Sequence, residues 1–218
     1  AALASLADTV DVRLYEPAGA PPASEQPNAE PMPELTPARV ALLALMREYE
    51  RTTFEAPTLI AVQKLAYFLQ NSGQPLRLQF QRHLFGPYAD ELRKSLRTME
   101  GHYITGFGDG SAPVERADAI HVRREVEPEL DAFIRADPDT KQRIDDVLAA
   151  IEGFESAYGL ELLATVHWVL QRDKRAREDA GEAHVSVQDW NTRKSRLFTK
   201  PHVEAAWRAV HDRHLIEA

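Results

Sequence analysis

The chain has 218 residues, 44% hydrophobic and 28% charged, an ordinary globular composition that excludes collagen-like, wholly disordered and membrane-embedded chains. No apolar run approaches the ~18 residues of a membrane helix, and the absence of cysteine removes disulfides, thiolate zinc sites and cysteine nucleophiles together, so the chain reads as cytoplasmic. The net charge of -8 is uneven: residues 1–35 hold six acids against Arg13, 125–155 hold ten acids against Arg135, Lys141 and Arg143, and 172–200 are basic.

The chain starts Ala1-Ala2-Leu3 with no basic segment ahead of an apolar one, which reads as a piece of a longer chain without a signal peptide. Val10, Val12 and Leu14 alternate with polar neighbours as in a half-buried strand, after the end of a helix at Ala2–Ala7. Residues 17–35 then turn to Pro, Ala, Glu, Ser and Gln, too poor in large apolar side chains to build a core. They predict a linker, and the folded body is 36–218.

That body opens with Thr36 as N-cap and Pro37 in the first turn, followed by Leu42, Leu45, Met46 and Tyr49 on one helical face. Thr58 caps a second helix through Leu69. Leu76, Leu78 and Phe80 alternate as a strand, Gly86-Pro87 opens a helix carrying Leu92, Leu96 and Met99, and short strands are predicted at His102–Phe107 and Ala119–Arg123. Beyond Pro128 the pattern is helical, with an apolar stripe at Ile144, Val147, Leu148, Ile151 and Phe154 and a segment, Leu160–Leu170, apolar nearly all round. Lys174–His184 reads as a charged loop, and short helices with Trp190 and Trp207 close the domain. The fold class is α+β, mainly α: a compact helical domain with a small antiparallel sheet or wing.

No phosphate-binding glycine loop, His-Glu-x-x-His or Gly-x-Ser-x-Gly occurs. Gly106, Gly108 and Gly110 read as a loop, His211 and His214 lack a third ligand, and His167 reads as a core histidine. No catalytic residue, metal or cofactor is assigned.

Three segments stand out: Lys64-Leu65-Ala66-Tyr67-Phe68-Leu69-Gln70, Phe85-Gly86-Pro87-Tyr88-Ala89, and Glu100-Gly101-His102-Tyr103 running on to Gly110. They resemble the C-terminal domain of the DarG antitoxins, bacterial proteins that join a macrodomain to this module and neutralise the DarT toxin. A more diffuse likeness extends to Trp190, Arg193-Lys194, Phe198 and Trp207, and Val10–Tyr15 is similar to the last strand of the family's macrodomain. The resemblance implies that 1–16 is a macrodomain tail. It also implies that 36–218 binds a toxin that transfers ADP-ribose from NAD to single-stranded DNA, and that the hydrolase of the parent chain lies in a macrodomain outside this sequence. The segment is therefore expected not to be an enzyme. Lys64, Tyr67, Phe85, Gly86, Pro87, Gly101 and His102 carry the resemblance and read as structural.

A protein that occupies a single-stranded DNA site should offer carboxylates in place of phosphates, beside aromatics in place of bases. The expected toxin-binding residues are Glu127, Glu129, Asp131, Asp145, Asp146 and Glu152, with Tyr88 and Tyr103 as aromatic anchors. The rival reading is a winged-helix DNA-binding regulator, with Arg93, Lys94 and Arg97 on the exposed face of the helix after Pro87.

Overall fold

The computed structural model describes residues 31–110 and 118–216; the expected macrodomain tail and most of the linker lie outside the described residues. The helices are α1 (Pro37–Thr53), α2 (Leu59–Asn71), α3 (Asp90–Met99), α4 (Glu127–Ala136), α5 (Pro138–Ile151), α6 (Ala157–Arg172), α7 (Lys174–Glu178), α8 (Ala180–Gln188), α9 (Thr192–Leu197) and α10 (Lys200–Asp212). Two separate antiparallel ribbons accompany them: β1 (Gln81–His83) with β2 (Gly86–Tyr88), and β3 (Ile104–Thr105) with β4 (His121–Val122). The fold is thus mainly α with small antiparallel elements.

Helix starts follow local chemistry. Thr36, Thr58, Asp137 and Ser156 each accept the backbone N–H three residues on, which satisfies one of the orphan donors of a helix N-terminus. Helices α1 and α2 form a shared wall. One core lies against it from α5, α6, α8 and α10, and a second from α3, the β3–β4 ribbon and α4. The central helix α6 is buried throughout from Gly159 to Leu170 except for half-buried Trp168. Its polar members are all satisfied, with Thr165 Oγ1 donating to the Glu161 carbonyl at 2.6 Å.

Several expected elements take a different form. Leu76–Phe80 alternates inward and outward but joins no strand: the side chain of Gln70 donates to the Leu78 carbonyl at 3.0 Å and accepts from its N–H at 2.8 Å, replacing the neighbouring strand. Gln63, two turns earlier on α2, clamps Ala89 in the same two-way fashion at 3.0 Å each. Gly86-Pro87 does not open a helix; it forms β2 and pairs with β1 in the register Gln81↔Tyr88, Arg82↔Pro87, His83↔Gly86. Helix α3 starts only at Asp90. Lys174–His184 is not a loop, because Asp173 and Asp179 act as successive N-caps and Ala176, Ala183 and Val187 give α7 and α8 a buried side.

Gly106 to Gly110 form a loop, as read from the sequence. A Cβ on Gly106, at φ +102°, would stand 2.0 Å from the Ala119 carbonyl oxygen. Both carboxylate oxygens of Glu100 accept backbone N–H groups of this loop, from Gly106 and Phe107 at 3.1 Å each. Burial raises the pKa of that carboxyl, while those bonds act in the opposite direction.

Candidate functional site

Of the residues that carry the resemblance, Lys64, Tyr67, Phe85, Gly86 and Pro87 are buried. Lys64 is fully buried on α2, and its Nζ donates to the Pro87 carbonyl at 2.7 Å, taking up a carbonyl of the β1–β2 turn region. Gly86, at φ +89°, lies against Thr165 and Lys64, leaving no room for a Cβ. Below them Glu161, 2% exposed, accepts from Lys194 Nζ and Arg193 Nη1 at 2.5 Å each, and Arg193 lies 4.7 Å over the Phe85 ring. Burial, with the like charge of Lys194 nearby, lowers the Lys64 pKa to about 7; burial lowers that of Lys194 to about 8 against the pull of Glu161.

Tyr67 and His167 form a second buried connection. Leu215 offers only a carbonyl to His167 Nε2, at 2.8 Å, so Nε2 carries the proton. Nδ1 then accepts from the Tyr67 hydroxyl at 2.8 Å. Burial brings the His167 pKa down to about 4, so the imidazole is neutral near pH 7 and serves as a fixed strut between α2, α6 and the segment after α10. Gly101 takes the Ile104 carbonyl at 2.8 Å, and the half-buried His102 ring tilts against Tyr103. These motif residues hold the fold together.

The expected surface residues are distributed unevenly. Tyr88 and Tyr103 are buried, Tyr88 stacked on His83 and Tyr103 hydrogen-bonded to the Pro33 carbonyl. Neither ring is free to anchor a partner, a correction to the sequence expectation. Of the six carboxylates, Glu127 pairs with Arg51 at 3.1 Å and Asp145 with Lys141 at 2.7 Å. Asp131 lies 2.8 Å from Arg47 Nη1, close enough for an ion pair although the angle is poor for a hydrogen bond. Asp146 is exposed and accepts from Gln142, while Glu129 and Glu152 are exposed. Of the rival DNA-reading residues, Lys94 and Arg97 are exposed, but Arg93 is turned back to donate to the Gly110 carbonyl.

The residue that sequence reasoning missed is Phe54. It ends α1 in the left-handed region at φ 59° with its N–H bonded to the Glu50 carbonyl at 2.8 Å, and its side chain is 91% exposed. A non-glycine residue there is disfavoured. Carboxylates lie near the last turn of this helix. Arg51, one turn back, reaches Glu127, Glu55 follows directly, and Thr52 and Thr53 share a cleft of about 230 Å³ with Glu152 and Glu155. The only sequence signal was an aromatic residue off the apolar stripe of α1, followed by an acid.

A cleft of about 500 Å³ lies between α2, α5, α6 and the segment after α10, lined among others by Asp146, His167, Arg213 and His214. Among the described residues, no cluster of three or more His, Asp or Glu side chains could hold a metal ion, and no helix is long and apolar enough to cross a membrane.

No family model matches the chain. It is similar to proteins named DNA ADP-ribosyl glycohydrolase: 38% identical over 201 residues to that of Thermus aquaticus, covering 92% of this chain and 54% of the relative. It is 33% identical over 208 residues to those of Mycobacterium bovis and Mycobacterium tuberculosis, covering 90% of this chain and 58% of each relative. The chain therefore spans little more than half the length of the relatives it matches. The expectation that the segment is not an enzyme is overturned, since nine-tenths of it aligns with proteins named for a hydrolase.

Proposed function

We propose that this chain belongs to a DarG-type DNA ADP-ribosyl glycohydrolase and that residues 36–218 bind a DarT-type DNA ADP-ribosyltransferase, blocking its single-stranded DNA site. Residues 1–16 are then the end of a macrodomain and 17–35 the tether. The observation that carries the reading is Phe54, 91% exposed at the end of α1, where Glu55 follows it and the preceding Thr52 and Thr53 share a cleft with Glu152 and Glu155. An exposed ring at a helix end that also carries carboxylates supplies what a strand supplies to its protein: a face to stack on and negative charge. Glu129 and Asp146 extend the negative field and steer encounter. Glu127, Asp131 and Asp145, already paired within the chain, contribute less.

The test is calorimetric titration of the chain into purified, catalytically inactive toxin, repeated with single-stranded DNA present. Competition by DNA, and weakening by about tenfold or more in Glu129→Lys/Glu152→Lys, both exposed, with a lower salt dependence, is the expected result. Absence of binding, or binding indifferent to DNA, would overturn the reading.

A second reading follows from the relatives' names together with the 500 Å³ cleft, a volume within the usual range of small-molecule sites. There the chain contributes to release of ADP-ribose from DNA. Asp146→Asn and His214→Ala, both exposed positions on that cleft, should then slow release of ADP-ribose from modified oligonucleotides in the chain's presence; unchanged release would remove the cleft from the chemistry.

A further inference from the structure

A different surface gathers cations rather than carboxylates. Arg172 lies 3.3 Å over the Trp168 ring, Trp168 packs edge-on against Trp190 with centroids 6.3 Å apart, and Arg82 lies 4.9 Å over Trp190. Arg193, over Phe85, shares an open depression with Arg196. The side chains of this row come from the end of α6, from β1 and from α9.

Among the described residues, Arg82 and Arg172 donate only to neutral acceptors: Arg82 to the Asp189 carbonyl, Arg172 to the Trp168 carbonyl and Gln171 Oε1. Arg196 is exposed and makes no hydrogen bond or ion pair among the described residues. By contrast Lys174 and Arg175 on α7 are paired with Glu178 and Glu182. Arg193 is paired with Glu161, but Arg82, Arg172 and Arg196 keep their positive charge, and the aromatic faces beneath Arg82 and Arg172 hold their guanidinium planes in place, so less side-chain freedom is lost on binding.

We infer that this arginine–aromatic row is a binding track for the backbone of single-stranded DNA. Planar guanidinium groups at spaced positions match phosphates by paired N–H donors and give bases a flat surface to stack on. An extended row suits a flexible strand, whereas duplex reading would call for an exposed helix or ribbon presenting side chains to a groove. The inference stands apart from toxin binding, because it uses different residues and needs no toxin.

Fluorescence anisotropy of a labelled oligothymidylate with the chain alone tests it. Binding at low salt should weaken by about tenfold or more in Arg82→Gln/Arg172→Gln/Arg196→Gln, and the slope of log affinity against log salt should flatten by about 2, at roughly 0.7 per lost phosphate contact. Arg196→Gln alone, which removes no internal contact, should weaken binding without changing the thermal melt, so failure to fold cannot mimic the result. No binding by the native chain, equal loss in Arg93→Gln/Lys94→Gln/Arg97→Gln, or equal affinity for polyglutamate would each overturn the assignment. The last would mark a surface for an acidic protein instead.

Discussion

Gly86→Ala probes the point where the family motif meets the central helix. The new Cβ would lie 2.9 Å from Thr165 Oγ1 and 3.4 Å from Lys64 Cε. Neither neighbour can yield freely, since Oγ1 is bonded to the Glu161 carbonyl at 2.6 Å and Lys64 Nζ to the Pro87 carbonyl at 2.7 Å. Two costs add: about 1–3 kcal/mol for holding an L-residue at φ +89°, and about 1–3 kcal/mol for forcing a methyl into a packed site. The sum, about 2–6 kcal/mol, is a large share of the ~5–15 kcal/mol that stabilises a typical domain. Urea denaturation followed by circular dichroism reads it as a lower midpoint at constant slope. Thr165→Ala removes Oγ1, so in that background Gly86→Ala should cost about 1–2 kcal/mol less, a coupling that a double-mutant cycle isolates. A Gly86→Ala cost below about 0.5 kcal/mol would refute the backbone argument, and strict additivity with Thr165→Ala would refute the close-approach argument.

Glu161→Gln should destabilise the chain by about 3–5 kcal/mol, because Lys194, fully buried, loses its carboxylate; Glu161→Gln/Lys194→Met should recover part of this in the same urea assay. Stability should rise from about pH 7 toward pH 10: Lys64 and Lys194 have pKa values near 7 and 8 in the fold against an ordinary 10.5, so the unfolded chain binds more protons in that window. Lys64→Met should flatten the rise, and above pH 10 the trend should reverse, since burial pushes the Tyr49 hydroxyl up to about 12. On the acid side, stability should fall from pH 6.5 toward 4 as the unfolded chain protonates a histidine that the fold keeps neutral, and His167→Gln should reduce that loss in thermal melts. Phe54→Gly should leave stability unchanged or raise it by up to about 1 kcal/mol, glycine being suited to the left-handed cap, while weakening toxin affinity by about tenfold; an unchanged affinity would remove Phe54 from the interface.

What the sequence made legible is what depends on neighbours in the chain. Thr36-Pro37, Thr58 and Asp137-Pro138 announce helix starts because a cap reaches only three residues ahead. Leu160–Leu170 announces a buried helix because its apolarity has no polar side. Leu76–Phe80 was legible as extended chain, but nothing local indicated that the Gln70 side chain would supply both hydrogen bonds a strand would have made. The aromatics misled for a related reason. Tyr88 and Tyr103 follow glycines in turn-like segments, which suggests exposure, whereas the turns fold back onto the core. Charge was the least legible quantity. The acidic count of 125–155 overstates the field of α4 and α5, because Arg47 and Arg51 on α1 neutralise Asp131 and Glu127. The basic count of 172–200 misplaces its surface charge, because Arg82 arrives from β1 while Lys174 and Arg175 are spent on neighbours. Surface potential is set by which charges tertiary structure leaves unpaired. The two faces that matter for the proposals each draw on residues distant in sequence: the end of α1 shares a cleft with Glu152 and Glu155, and Arg82 of β1 lies over Trp190, which packs on Trp168 beneath Arg172.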